Sequence, residues 1–185
     1  MVEKKLAKEI VLEKITPYLY LFVMGGLFGF VYEEIFYYFD LGELVKRGIT
    51  FGPWIPIYGF GAIIMTYLNR FCKDPAKFLK VFLMSTISCG VLEFASGAVF
   101  WYVFHTRLWD YNVEILNFGN IGGFICLRSV LFFGVSGLAL AYIVMPFVMF
   151  LKKKMTTKVF RLTGIISCGL FALDILVSLI VRALK

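Results

Sequence analysis

Five stretches of this chain, residues 18–39, 54–71, 79–104, 124–151 and 162–181, are dominated by apolar side chains. About 20 such residues cross a hydrocarbon core about 30 Å thick, so each is read as a transmembrane helix. The fold expected is an all-α integral membrane bundle of five helices. The second stretch is short and the fourth long, which predicts that one is broken and the other tilted. Composition agrees: 61% of residues are hydrophobic and mean hydropathy is +0.86, whereas soluble domains are about 45–50% apolar. Little chain remains for a soluble domain, so residues 1–185 are expected to form one transmembrane domain. Residues 1–16 are read as a juxtamembrane amphipathic segment. Val2, Leu6 and Ile10 recur there among charges, which suits a helix on the inner surface or one leading into the first span. Pro17 is expected in the first turn of that span. Lys mixes with Glu in this segment and no apolar core precedes a cleavage site, so it does not read as a signal peptide.

The formal charge of +7 is explained by its distribution. With five spans, thirteen Lys and Arg residues fall on the side of residues 1–14, 70–80 and 152–161, and five fall on the other, leaving Arg128 inside a span. Cytoplasmic loops hold such an excess. The N-terminus is therefore expected inside and the C-terminus outside, with anionic lipid headgroups, not nucleic acid, as the contact of the basic residues. Trp54, Trp101 and Trp109 then all lie at the outer boundary, as an interfacial belt.

Four ionisable residues interrupt the spans: Glu33, Glu93, Arg128 and Asp174. Each costs about 2.5–3.5 kcal/mol at a membrane helix centre unless it is paired, neutral or in a wet cavity. Gly25, Gly29, Glu33 and Tyr37 recur every four residues, and Ser85, Cys89, Glu93 and Gly97 repeat the pattern. Both Glu residues thus extend small-residue faces where helices approach closely. Glu34 lies off the stripe and is expected nearer the headgroups. Gly164, Ser167, Phe171, Asp174 and Ser178 share a face, and Gly134, Gly137 and Ala141 form a packing stripe after Arg128. A rise of about 1.5 Å per residue places the four ionisable groups roughly 18–24 Å above the inner boundary. The Gly- and Pro-rich run 51–61 and the loop 109–123 begin at that same outer side. This convergence predicts a pocket open to the outside. Arg128 is expected to pair with Glu93, otherwise Glu33, with at least one acid protonated or neutralised by a cation. A structural cluster of ion pairs serving as packing glue is the competing reading.

Other motifs are thin. Cys72, Cys89, Cys126 and Cys168 have no CxxC or zinc spacing, and no cofactor or metal is expected. His105, the sole histidine, falls in an interfacial loop. The run Tyr58–Gly61 after Pro56 reads either as a half-helix start aimed at an anion or as an ordinary proline-started helix. No P-loop, nucleophile elbow or HExxH is present.

Read in order, several segments resemble a known family. They are Gly29-Phe-Val-Tyr-Glu33, Arg47-Gly48, Gly52-Pro53-Trp54-Ile55-Pro56-Ile57-Tyr58-Gly59-Phe60-Gly61 and Leu92-Glu93-Phe94-Ala95-Ser96-Gly97. Trp109-Asp110-Tyr111, Asn117, Gly122 and Cys126-Leu127 follow. The chain is similar in these to the bacterial membrane family described as putative ABC-transporter permease, type IV, or CmpB-like. It departs with Phe133 where the family often has Trp, and with Met145 before Pro146 where it often has His. The resemblance implies transport. No nucleotide-binding motif is present, so ATP hydrolysis would need a separate ATPase subunit, and five spans would need a homo-oligomer to form a path. Candidate solute- or ion-binding residues are Glu33, Glu93, Arg128 and Asp174, with Tyr58, Trp109, Asp110, Tyr111 and Asn117 from the matched segments. Two other functions stay open: a membrane enzyme acting on lipid or envelope precursors, with a carboxylate as base and Arg128 on a phosphate, or a non-catalytic assembly or regulatory subunit. Catalysis is the less expected.

Overall fold

The computed structural model describes residues 2–72 and 77–184, with side chains from Glu9 onward. The side chains of Lys4, Lys5 and Lys8, and Lys73 in the second loop, lie outside the described residues. The described chain is helical: α1 (Val2–Leu41), α2 (Pro56–Asn69), α3 (Lys77–Phe104), α4 (Leu127–Ala139), a π-helical turn (Leu140–Val144), α5 (Met145–Lys154) and α6 (Thr157–Ala183). Among the described residues, four helices are long and apolar enough to cross a membrane: Glu9–Leu41, Lys77–Phe104, Leu127–Lys154 and Thr157–Ala183.

The second expected span is a half-helix. α2 has 14 residues, about 21 Å at 1.5 Å per residue, against a core about 30 Å thick. Helix α1 ends at Leu41, and Gly42 follows in the left-handed region (φ +76). From there the chain turns back into the bundle. The Ile55 amide donates to the Gly26 carbonyl at 3.0 Å, about 22 Å down α1 from its end. Pro56 then starts α2 at that depth, its missing N–H costing nothing in a first turn. Trp54 is therefore not in an outer belt: its ring stacks on Phe171 at 4.8 Å, beside Gly26. Irregular backbone at membrane depth is tolerated only where protein or a lined cavity satisfies it. Here Asp174 accepts from the Phe51 and Gly52 amides (3.1 and 2.8 Å) and from the Trp54 indole (2.6 Å).

The second hairpin repeats this plan. α3 rises to Phe104, His105 breaks it with a positive φ, and 105–126 folds back down. α4 starts deep, with Ile125 and Val130 against Gly90. Gly134 meets Thr86 and Phe82, and Gly137 meets Ser85, so the small-residue stripe of the fourth span packs on α3 as its spacing predicts. Ser85, Cys89, Glu93 and Gly97 are all buried. Pro146 cannot donate to the carbonyl four residues back, and the π turn sits immediately before it.

Pro17 lies inside α1 rather than at a helix start. The residues before it lead straight into the span, held by Glu9–Arg161 and Glu13–Lys152 ion pairs at 2.5 and 2.9 Å. Helix α5 runs through Lys154, so only Met155 and Thr156 link it to α6. α6 packs chiefly on α1 and runs the same way, since Gly164 meets Thr16 and Tyr20 while Phe171 meets Gly26. The start of α1 and the end of α6 thus lie at opposite ends of the bundle.

Candidate binding site

Both inward-folding loops reach one chamber. α1 supplies Tyr32, Glu33, Phe36 and Tyr37, the first loop Arg47, and α2 Tyr58. α3 supplies Glu93, the second loop Trp109, Tyr111 and Glu114, and α4 Arg128 and Ser129. Its volume is about 30 Å³, room for one or two waters.

Arg128 does not pair with Glu93 or Glu33. Its guanidinium meets Glu114 at 2.5 Å. Glu114 stands in the second loop, and its carboxylate also accepts from the Tyr37 hydroxyl. The reason is reach and solvation. Glu114 is brought down by the loop to within reach of Arg128 with an exposure of 4%, and the pairing offsets the desolvation of both charges. The Arg128 plane lies 3.7 Å over Phe36. Glu33 pairs instead with Arg47, Nε to Oε2 at 3.3 Å, and Arg47 lies 3.6 Å over Tyr37. Glu33 therefore faces inward, as its stripe predicts. Glu34 accepts from the Arg47 amide at 3.2 Å, which fixes the loop at the helix edge.

Glu93 has no cationic ion-pair partner among the described residues. Its two oxygens accept from Tyr111 at 2.6 Å and Ser129 at 2.7 Å, and it is 5% exposed. Burial, with Glu93 alongside, holds the Tyr111 phenol well above its usual range. Tyr111 therefore remains a donor throughout physiological pH. Three acids and two arginines leave the chamber one negative charge in excess if all are ionised, and that charge belongs to Glu93. No group of three acidic, His or Cys side chains forms a metal-ligating set among the described residues.

The other sequence candidates divide by role. Tyr58 lines the chamber alongside Glu33. Trp109 lines it too, its indole anchored to the Phe124 carbonyl at 3.0 Å. Asp110 and Asn117 organise the second loop: Asp110 binds Arg107 and Asn112, and Asn117 donates to the Tyr111 carbonyl at 3.0 Å. Asp174 joins none of these acids and ties the first loop to α6. Ser178 donates to it at 3.2 Å.

The family model of the putative ABC-transporter type IV proteins matches residues 20–179. The chain belongs to that family. No curated protein and no solved structure matches it. The matched region of this type IV family member takes in both inward-folding loops and every chamber residue named above. It is a multi-pass membrane protein with a transport-type family name. Sequence reasoning missed Arg47 and Glu114 because both sit in loops, where charges are counted toward topology. The signal was loop length: 42–55 and 105–126 exceed ordinary connections, and such loops usually carry function.

Proposed function

We propose that the chain is the membrane-embedded, permease-like part of a transport system in the bacterial cytoplasmic membrane. Its N-terminus lies inside and its C-terminus outside, as the distribution of Lys and Arg supports. The chamber then faces outward and binds a small polar or amphipathic solute, coupled to a proton or cation at Glu93. The whole of residues 1–185 acts as one transmembrane domain. A separate ATPase subunit and self-association of the chain supply what five passes lack.

The observation that carries this reading is the asymmetry among the acids. Glu33 and Glu114 are matched by Arg47 and Arg128, which suits positioning of the two loops. Glu93 is matched only by hydroxyls, the arrangement of a carboxyl that gains and loses a positive partner. Tyr58, Tyr111 and Ser129 orient what binds, Trp109 covers it, and Asp110, Asn117 and Asp174 hold the loops.

The test uses protein reconstituted in nanodiscs and melted across a range of pH and cation concentration. The wild type is expected to shift its melting temperature with pH or with the cation, and Glu93→Gln to lose that response while remaining folded. An unchanged response in Glu93→Gln would refute the coupling.

A further inference from the structure

A second cavity adjoins the chamber. Cys89, one turn before Glu93 on the same stripe of α3, lines this lower space together with Met24, Phe28, Met65, Leu140 and Val144. It has a volume of about 60 Å³, and its walls are almost wholly apolar. Ile57, Tyr58 and Phe133 line both cavities, so the two adjoin across these three side chains.

The lower cavity also has a side facing lipid. α1 packs on α2 and α6, and α4 packs on α3, but α1 and α4 are not a closely packed pair. They are joined mainly by rings: Tyr32 stacks on Phe132 with centroids 3.6 Å apart, and Phe28 lies parallel to Phe132 at 6.3 Å. Phe28, at the rim, is 54% exposed. The π turn supplies Leu140 and Val144 to this seam, and such turns break the regular side-chain register of a helix where a site needs it.

We propose that the ligand is an amphiphile with one alkyl chain and an ammonium head. The chain enters from the bilayer between α1 and α4 and lies along Met24, Cys89 and Leu140. The head rests against Glu93. Three observations carry this. The lower cavity is almost wholly apolar, and Phe28 at its rim is exposed. It shares Tyr58 and Phe133 with the polar chamber. Glu93 lies one helical turn, about 6 Å, above the groove and lacks a cation, among aromatic rings that favour ammonium groups. This inference rests on the reading of the chamber as a ligand site.

The experiment uses the full chain in nanodiscs and a dodecylammonium probe carrying a diazirine in its chain. Cross-links should map to the segments around Met65, Cys89 and Leu140. Excess dodecylammonium should suppress them, and methylammonium at the same concentration should not. Gly61→Leu and Ala139→Leu, each filling the groove, should abolish labelling in variants that still melt cooperatively. Glu93→Gln should weaken competition by dodecylammonium about tenfold and leave competition by dodecanol unchanged. Label confined to the outward faces of α3 and α6, or indifferent to both filling variants, would overturn the proposal. If labelling fails while Glu93→Gln still abolishes the pH or cation response, the amphiphile falls and the coupled chamber stands. If both fail, both fall.

Discussion

The Arg128–Glu114 pair offers the sharpest quantitative prediction. Glu114 is 4% and Arg128 15% exposed, so each is withdrawn from water and neither can be released cheaply. Removing one partner of such a pair leaves an uncompensated charge and costs about 3–5 kcal/mol. Arg128→Met and Glu114→Ala are each expected to destabilise by about that amount, with Glu114→Ala also stranding the Tyr37 hydroxyl. The double variant removes both charges and should cost less than the two single effects summed, by about 2–3 kcal/mol. The same cycle between Arg128 and Glu93, which share no hydrogen bond but both contact Tyr111, should show a smaller coupling than the cycle with Glu114. Unfolding in mixed micelles titrated with denaturing detergent would read these values. Strict additivity for Glu114, or stronger coupling to Glu93, would refute the assignment of charges in the chamber.

Other perturbations probe the supporting parts. Gly29→Ala places a methyl group into the Tyr58 ring and should cost about 1–3 kcal/mol through overpacking, read as a lowered melting temperature. Asp174→Ala removes the acceptor of two amides and one indole. It should speed hydrogen exchange at Phe51 and Gly52 by tenfold or more, on the order expected from losing hydrogen bonds to a charged group. Tyr111→Phe deletes one of the two donors to Glu93 and should destabilise by about 1–3 kcal/mol. Reporter fusions at the two ends should show Met1 cytoplasmic and Lys185 outside; two cytoplasmic ends would remove the outward chamber.

Helix faces were legible in the sequence because they depend on local periodicity. The stripes through Glu33 and Glu93, and the stripe through Gly134 and Gly137, face neighbouring elements of the bundle as their three- and four-residue spacing requires. The half-length of α2 was hinted at by Gly52, Pro53 and Pro56. The depth of its start was not, because it depends on Ile55 reaching Gly26 and on Asp174 stabilising loop amides more than 120 positions away. Arg128 was recognised as needing an acid, yet its partner came from a loop. Pairing by depth along helices has no means of finding Glu114, since an irregular segment can descend to any level. The single unmatched acid, Glu93, follows only once the other two have been assigned.

Glu93 is therefore the residue on which the account turns. Infrared difference spectroscopy of the protein in nanodiscs, stepping pH or ammonium concentration, reads carboxyl protonation directly. The account predicts one carboxyl band that appears or vanishes with the step, persists in Glu33→Gln and Glu114→Gln, and is lost in Glu93→Gln. A band that survives Glu93→Gln, or no carboxyl response in the wild type, would contradict it.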